Sequence, residues 1–191
     1  MITHYHILIG GFHQHRGDAS NGLSGVRSDL LHKYGRGNGL SDVNYLPWYT
    51  SADHLSRYIH RNGDFRGEGV TKLQVAGYSY GGTTAVNLCS ALQDLGIQVQ
   101  ELCLIDPVKR RSIYPWGWLA SLNRWAKIEV TANVQNLHWF HQSTSWPRSH
   151  AVMSHKTTAI TSHKLMLRHS AVDNIRLVRD TIMDQAAAIH I

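Results

Sequence analysis

Ser79 lies at the centre of the stretch Gly-Tyr-Ser-Tyr-Gly-Gly, residues 77–82, with one glycine two positions before it and another two positions after it. A serine hydroxyl is a poor nucleophile unless a base takes its proton, and its oxygen must project from a tight turn toward that base. Glycines at these positions let a strand and a helix approach closely around the turn. The stretch therefore suggests a nucleophilic serine, but a match to Gly-x-Ser-x-Gly can also arise by chance.

The flanking sequence supplies the context that such a turn requires. Residues 73–76 are typical of a short buried strand. Beyond the turn, apolar residues recur at helical spacing up to Gly96, which is a common helix stop; they are Ala85, Leu88, Cys89, Leu92 and Leu95. Strand, turn and helix together favour the nucleophile over a chance match.

The remaining sequence alternates strands with helices. Apolar runs predict strands at 5–9, 42–46, 101–105 and 134–140, and helical spacing predicts helices at 23–34 and from Ser51 to about 61. In the second of these helices we expect Leu55, Tyr58 and Ile59 to face inward. The last helix has an apolar stripe, and Ser170 and Asp173 resemble a capping box at its start.

This order predicts an α/β protein: a three-layer sandwich whose central, mostly parallel sheet has about five or six strands. Ligands bind such sheets at the carboxyl ends of the strands. Ser79, Asp106 and the pair Gly10-Gly11 each follow a predicted strand directly. We therefore expect the three to meet at one edge of the sheet.

At this point the chain resembles the α/β-hydrolase family, most closely its small, nearly capless members of the cutinase and minimal bacterial lipase kind. The similarity in element order covers nearly the whole chain, while the stretch 77–82 is the specific motif. The resemblance implies a single domain over residues 1–191 in the minimal form of this fold. It also implies a triad in the chain order nucleophile, acid, histidine, which Ser79, Asp106 and His169 satisfy.

The acid and the base each have an alternative reading. Asp106, before a proline, could simply form a turn; the family's acid more often follows the next strand, but residues 141–146 contain no carboxylate. His169 precedes the last helix, where the family carries its base, and could instead be a surface or capping histidine. Four other histidines could lie over the site: His141, His150, His155 and His163.

The resemblance further implies two backbone N–H donors for the oxyanion. Tyr80, the residue after the nucleophile, would supply one. The other would come from the loop after the first strand, where Gly10-Gly11-Phe12 resembles the family's Gly-Gly-x stretch, with Phe12 as first choice and Gly11 as second. The glycine pair could also be a plain strand exit.

Aromatic residues are concentrated between Asp106 and the fifth predicted strand. We interpret residues 107–128 as a small lid-like insertion in which Trp116 and Trp118 could bind an apolar acyl chain. A helix packed on the core would have the same pattern.

The resulting expectation is a serine hydrolase that cleaves carboxylic esters of small molecules or lipids and requires no cofactor. The alternatives are a thioesterase or amidase with the same triad, and a non-catalytic protein of this fold that binds a ligand. Paired histidines at 4/6 and 13/15 could hold a metal, but no cysteine or carboxylate accompanies them in register, so no metal site is predicted.

Composition excludes several other classes. The net charge of +6 results from 19 basic and 13 acidic residues. The basic residues are spread along the chain, with one run at 109–111, which favours a solvated basic surface over nucleic-acid binding. No secretory signal is visible at the start, and no apolar run approaches the roughly 20 residues of a membrane span. We expect a cytoplasmic protein without integral membrane association, although a processed secreted chain would look the same. The two cysteines are expected to be buried thiols.

Overall fold

The computed structural model describes residues 3–12, 14, 22–35, 41–65, 71–109 and 125–191. The strands are β1 (His4–Ile9), β2 (Ser41–Leu46), β3 (Lys72–Tyr78), β4 (Val99–Ile105), β5 (Lys127–Glu129), β6 (Val134–Gln142), β7 (Ala151–Met153) and β8 (Ala159–Leu165). The helices are α1 (Gly22–Lys33), α2 (Ala52–Asn62), α3 (Tyr80–Asp94) and α4 (Arg176–Ile189), with a 3-10 helix at His169–Asn174 before α4.

Six strands form one sheet in the order β2-β1-β3-β4-β6-β8, and every neighbouring pair is parallel. A separate pair, β5 and β7, forms a small parallel sheet of its own. The predicted fold class, a mostly parallel sheet between helices, is confirmed.

Apolar side chains on both faces of the sheet explain why it is covered on both sides. Alternate residues of a strand point to opposite faces, and Val75 packs in the cluster that contains Leu88 of α3, whereas Ala76 packs in the cluster that contains Leu30 of α1 and Ile182 of α4. All five side chains are buried. Burial of such surface on two faces stabilises the three-layer arrangement.

The register brings the ends of the central strands to one level. Ile9 at the end of β1 pairs with Gly77, and Tyr78 at the end of β3 pairs with Ile105 of β4. Gly10, Ser79 and Asp106 therefore leave the sheet side by side.

Two local predictions are wrong, and the sequence did not indicate one strand of the main sheet. Tyr58 is 45% exposed, and its hydroxyl donates to Asp42, because the inward stripe of α2 needs only Ile59 and part of Leu55. Residues 170–173 belong to the 3-10 helix, and α4 begins only after Ile175, without a side-chain cap. The strand β8 was not predicted, because five of its seven residues are exposed and it has no apolar run.

Both cysteines are free and buried, as expected. Among the helices that the structure describes, none combines the length and the apolar character needed to cross a membrane.

Candidate active site

Ser79 occupies the turn between β3 and α3. The strand ends at Tyr78 and the helix begins at Tyr80, so a single residue reverses the backbone direction. Its φ of 54° lies in the left-handed region, which side-chain-bearing residues seldom adopt. The main chain holds this conformation, since the Ser79 N–H donates to the Ile105 carbonyl and the Ser79 carbonyl accepts from Gly82 and Val108, each at 3.0 Å.

Glycines are required around the turn because backbone approaches backbone there. A Cβ at Gly77 would lie 2.5 Å from the Gly81 carbonyl oxygen, and a Cβ at Gly81 would collide with the carbonyl oxygen of Ile9 in β1. The spacing of the motif thus follows from packing the first turn of α3 onto the ends of two strands.

Asp106 follows β4 and is fully buried. It is the second non-glycine residue with positive φ among those described, at 44°. Its carboxylate accepts two hydrogen bonds from Gln142, from the main-chain N–H to Oδ1 at 3.1 Å and from Nε2 to Oδ2 at 3.0 Å. Such donors stabilise the charged form of a buried carboxyl group.

His169, at the start of the 3-10 helix, lies between Asp106 and Ser79. Its Nδ1 is 2.5 Å from Asp106 Oδ2, and its Nε2 is 2.9 Å from Ser79 Oγ. With a carboxylate at Nδ1, the neutral ring carries its proton on Nδ1 and Nε2 accepts from the serine hydroxyl. The structure thus brings the three predicted triad residues into one hydrogen-bonded chain, with 13% of the histidine side chain exposed.

The backbone of His169 is fixed on two sides. Its N–H donates to Ser145 Oγ at 2.7 Å, and its carbonyl accepts from the Tyr78 hydroxyl at 2.8 Å. The Tyr78 ring also stacks on the imidazole, with centroids 5.2 Å apart. Burial raises the pKa of Tyr78 far above its ordinary value, so the hydroxyl stays protonated and can donate.

The four other histidines considered as the base have partners away from Ser79. His141 contacts Ser162, His163 contacts His138, and His155 contacts Thr157. The Nδ1 atom of His150 accepts from the main-chain N–H of Lys109.

The loop after β1 lies against Ser79. A Cβ at Gly11 would be 3.0 Å from Ser79 Cβ, so the glycine permits this close approach. The Gly11 N–H, the second choice as an oxyanion donor, already donates to Gln14 Oε1 at 2.9 Å. The N–H groups of Phe12 and Tyr80 remain the predicted oxyanion donors.

Three aromatic residues that follow β1, β2 and β3 form a cluster beside Ser79. The rings of Phe12, Trp48 and Tyr80 lie with centroids 6.0 Å apart in each pair. The Thr84 hydroxyl of α3 donates to the Trp48 carbonyl, and Phe12 is 55% exposed. Trp116 and Trp118, predicted to bind substrate, lie outside the described residues, as do residues 110–124 of the proposed lid.

Three of the residues that organise the site were not found from the sequence. Gln142 and Tyr78 act through contacts between distant segments, and no motif includes Gln142. Trp48 was identifiable only as an aromatic residue after a predicted strand. Tyr78 did stand inside the motif, but its spacing says nothing about where its ring points.

Of the two histidine pairs, the structure describes His4 and His6, and their rings contact other side chains. Among the residues that the structure describes, no three His, Cys, Asp or Glu side chains converge as ligands. His6 is buried, with Nδ1 2.7 Å from Gln74 Oε1 and Nε2 3.1 Å from His190 Nε2, while the His4 ring stacks on that of His190. Residues 13 and 15 lie outside the described ranges.

Comparison with known proteins gives a family and a fold. The family model of the thioesterase domain matches residues 63–181, more than half of the chain. A protein of Agrobacterium vitis S4 that has been assigned to the hydrolases is 13% identical, with a TM-score of 0.53 over 98% of this chain and 88% of its own. Est1E from Butyrivibrio proteoclasticus is 11% identical, with a TM-score of 0.52 over 97% of this chain and 89% of its own. No curated protein gives a significant sequence match. The predicted resemblance to the α/β hydrolases is confirmed at the level of family and fold.

Proposed function

Because the chain belongs to the thioesterase domain family, we propose that it is a serine hydrolase that cleaves carboxylic esters through an acyl-enzyme intermediate. The observation that carries this proposal is the hydrogen-bonded chain from Ser79 Oγ through His169 to the buried Asp106. Three residues from three separate segments, each with its polar atoms directed at the next, form the geometry that acyl transfer requires.

In the acylation step, His169 Nε2 takes the proton of Ser79 Oγ as that oxygen attacks the carbonyl carbon. The developing oxyanion is stabilised by the backbone N–H groups of Phe12 and Tyr80. Asp106 keeps the imidazole in the required tautomer and stabilises the imidazolium. The imidazolium then gives its proton to the departing alkoxide, which leaves as an alcohol, and the acyl group remains on Ser79.

Deacylation repeats the same steps with water. His169 takes a proton from the water molecule as its oxygen attacks the acyl-enzyme carbonyl, and returns it to Ser79 Oγ as the carboxylic acid leaves. The cluster of Phe12, Trp48 and Tyr80 offers an apolar surface beside the reacting atoms, which favours substrates with an apolar acyl or leaving group.

Thioesters are the second candidate substrates, favoured by the family match. A thiolate is a much better leaving group than an alkoxide, since the pKa of a thiol is about 8.5. The same triad therefore acylates from either substrate, and only the leaving-group side of the site distinguishes them.

The test combines labelling with turnover. We expect a fluorophosphonate probe to label Ser79 and no other residue, as located by peptide mass spectrometry. Ser79→Ala should abolish hydrolysis of p-nitrophenyl esters of rising chain length and of acyl thioesters with the same acyl groups. Asp106→Asn should lower kcat by about 10⁴-fold, because it disturbs the tautomer of His169.

Ser90→Ala is the matched control, since Ser90 is exposed on α3, the helix that follows Ser79. A labelled wild type whose turnover survives Ser79→Ala would refute the mechanism. Absence of both labelling and turnover in the wild type would favour a ligand-binding protein of this fold instead.

A further inference from the structure

Two hydrogen bonds of one side chain connect the loop after β1 to the 3-10 helix that carries His169. Gln14 Oε1 accepts from the main-chain N–H of Gly11 at 2.9 Å, and Gln14 Nε2 donates to Asp173 Oδ2 at 2.5 Å. Asp173 lies four residues after His169 in the same 3-10 helix. One glutamine thus links the loop that should bind the oxyanion to the element that carries the base.

Asp173 is firmly enclosed. The side chain is 3% exposed, and Gly22, the first residue of α1, packs so tightly that a Cβ there would collide with Asp173 Oδ2. Burial raises the pKa of Asp173, while the hydrogen bond from Gln14 and the nearby His169 oppose that shift. A buried acceptor of this kind needs its donor, because an unpaired one is costly.

Gln14 contacts both peptide groups of Gly11, the Gly11–Phe12 peptide through its main chain and the Gly10–Gly11 peptide through its side chain. Its own N–H donates to the Gly11 carbonyl at 3.2 Å, while its side chain accepts from the Gly11 N–H. The N–H of a planar trans peptide points opposite to its C=O. Holding the Gly11 carbonyl toward Gln14 therefore also sets the direction of the Phe12 N–H.

We propose that Gln14 and Asp173 are positioning residues that hold the oxyanion loop, residues 10–12, at a fixed position relative to His169. This inference rests on the proposed function and deepens it. A donor contributes to catalysis only when it is already aligned with the charge that develops in the transition state. Without the side-chain link, the Gly11–Phe12 peptide would keep its hydrogen bond to the main-chain N–H of residue 14, but the Gly10–Gly11 peptide would lose its acceptor and the loop would lose its connection to Asp173.

The first test is Gln14→Met, which removes both polar atoms while nearly keeping length and volume. We expect kcat for p-nitrophenyl esters to fall about 10- to 100-fold, less than complete loss of an oxyanion donor, with KM changed less than twofold. Asp173→Asn keeps an acceptor oxygen for Gln14 and should retain kcat within about threefold. Gln135→Met, on an exposed position of β6, is the matched control and should leave kcat unchanged.

The second test is Gln14→Glu, which keeps an acceptor for the Gly11 N–H but places two carboxyl groups together. At high pH they repel each other, and at lower pH one shared proton rebuilds an O–H···O bond to Asp173. The ratio of the variant's kcat to that of wild type should therefore rise at least threefold as the pH falls from 8 to 6. His169 and Tyr78 are the ionisable groups that face Asp173, and the wild type measured at each pH is the reference for the ratio.

The outcomes separate this inference from the function on which it rests. Unchanged kcat in Gln14→Met, with an active wild type, overturns the positioning role and leaves the hydrolase mechanism intact. A wild type that neither turns over esters nor reacts with a fluorophosphonate overturns both. If Gln14→Met fails to fold, the Gln14→Glu ratio decides, and a ratio independent of pH overturns the inference.

Discussion

Gln142 donates to both carboxylate oxygens of Asp106, one from its main chain and one from its side chain. The side-chain amide also organises the following loop, since its Oε1 accepts from the N–H groups of Thr144 and Ser145. Ser145 in turn accepts from the N–H of His169. In this chain the end of β6 therefore supports Asp106 and His169 without supplying a carboxylate of its own.

Replacing Gln142 should weaken both the site and the fold. Gln142→Met leaves Asp106 with one donor fewer and two loop N–H groups without their acceptor. We expect kcat to fall more than tenfold and the free energy of unfolding to fall by about 2 kcal/mol. Steady-state kinetics and urea unfolding measure the two effects. The exposed Gln135→Met serves as the control, and an unchanged kcat would contradict the role of Gln142.

Tyr78→Phe separates the hydroxyl from the ring. The variant loses the hydrogen bond to the His169 carbonyl but keeps the stacking on the imidazole. We expect a loss of about 1 kcal/mol in the free energy of unfolding and a severalfold lower kcat. Tyr58→Phe, which removes an exposed hydroxyl bound to Asp42, should change neither quantity. Equal effects of the two substitutions would show that the Tyr78 hydroxyl has no special role.

Gly81→Ala tests why the motif ends in glycine. The added methyl group would collide with the Ile9 carbonyl oxygen, so α3 must move away from β1. We expect a loss of about 3 kcal/mol or more of stability and loss of fluorophosphonate labelling. Gly96→Ala is the control: its φ is +73° but nothing lies within 4 Å, so it should cost about 1 kcal/mol and leave labelling intact.

His6 predicts a pH dependence of stability away from the site. Burial lowers the pKa of His6 to about 4 from the ordinary 6.5. On acidification, the histidine therefore binds a proton in the unfolded chain at pH values where it stays neutral in the folded chain. The contribution of neutral His6 to the free energy of unfolding is complete above pH 6.5. It is lost as the pH falls toward 4, by up to about 3 kcal/mol. The difference in unfolding free energy between wild type and His6→Gln should follow this window. A difference independent of pH would refute the prediction.

Much of the fold could be predicted from the sequence, because most strands of the main sheet are marked by their own apolar residues. Apolar residues identify the four central strands, which are covered on both faces, although buried polar side chains such as His6 and Gln74 interrupt the apolar runs. The edge strand β8 is different, because it pairs only with β6 within the described sheet and most of its residues are exposed. Its pairing is decided by the neighbouring strand rather than by its own composition.

Part of the candidate site could also be predicted from the sequence. Ser79, Asp106 and His169 could be identified because chain order and position at strand ends constrain them. Asp173 shows the limit: its sequence context resembles a capping box, yet its carboxylate accepts from Gln14, which lies 159 residues earlier. Local propensity cannot anticipate a partner that only the folded chain brings close.

The positive φ angles of Ser79 and Asp106 place backbone strain at the two residues proposed as nucleophile and acid. Conformations of this kind cost roughly 1–3 kcal/mol for a side-chain-bearing residue and almost nothing for glycine. Ser79→Gly should therefore unfold at a higher temperature than Ser79→Ala, although both lack the hydroxyl. Backbone strain at these two strand ends therefore lowers the thermal stability of the protein, and it lies at the two residues proposed to act in catalysis.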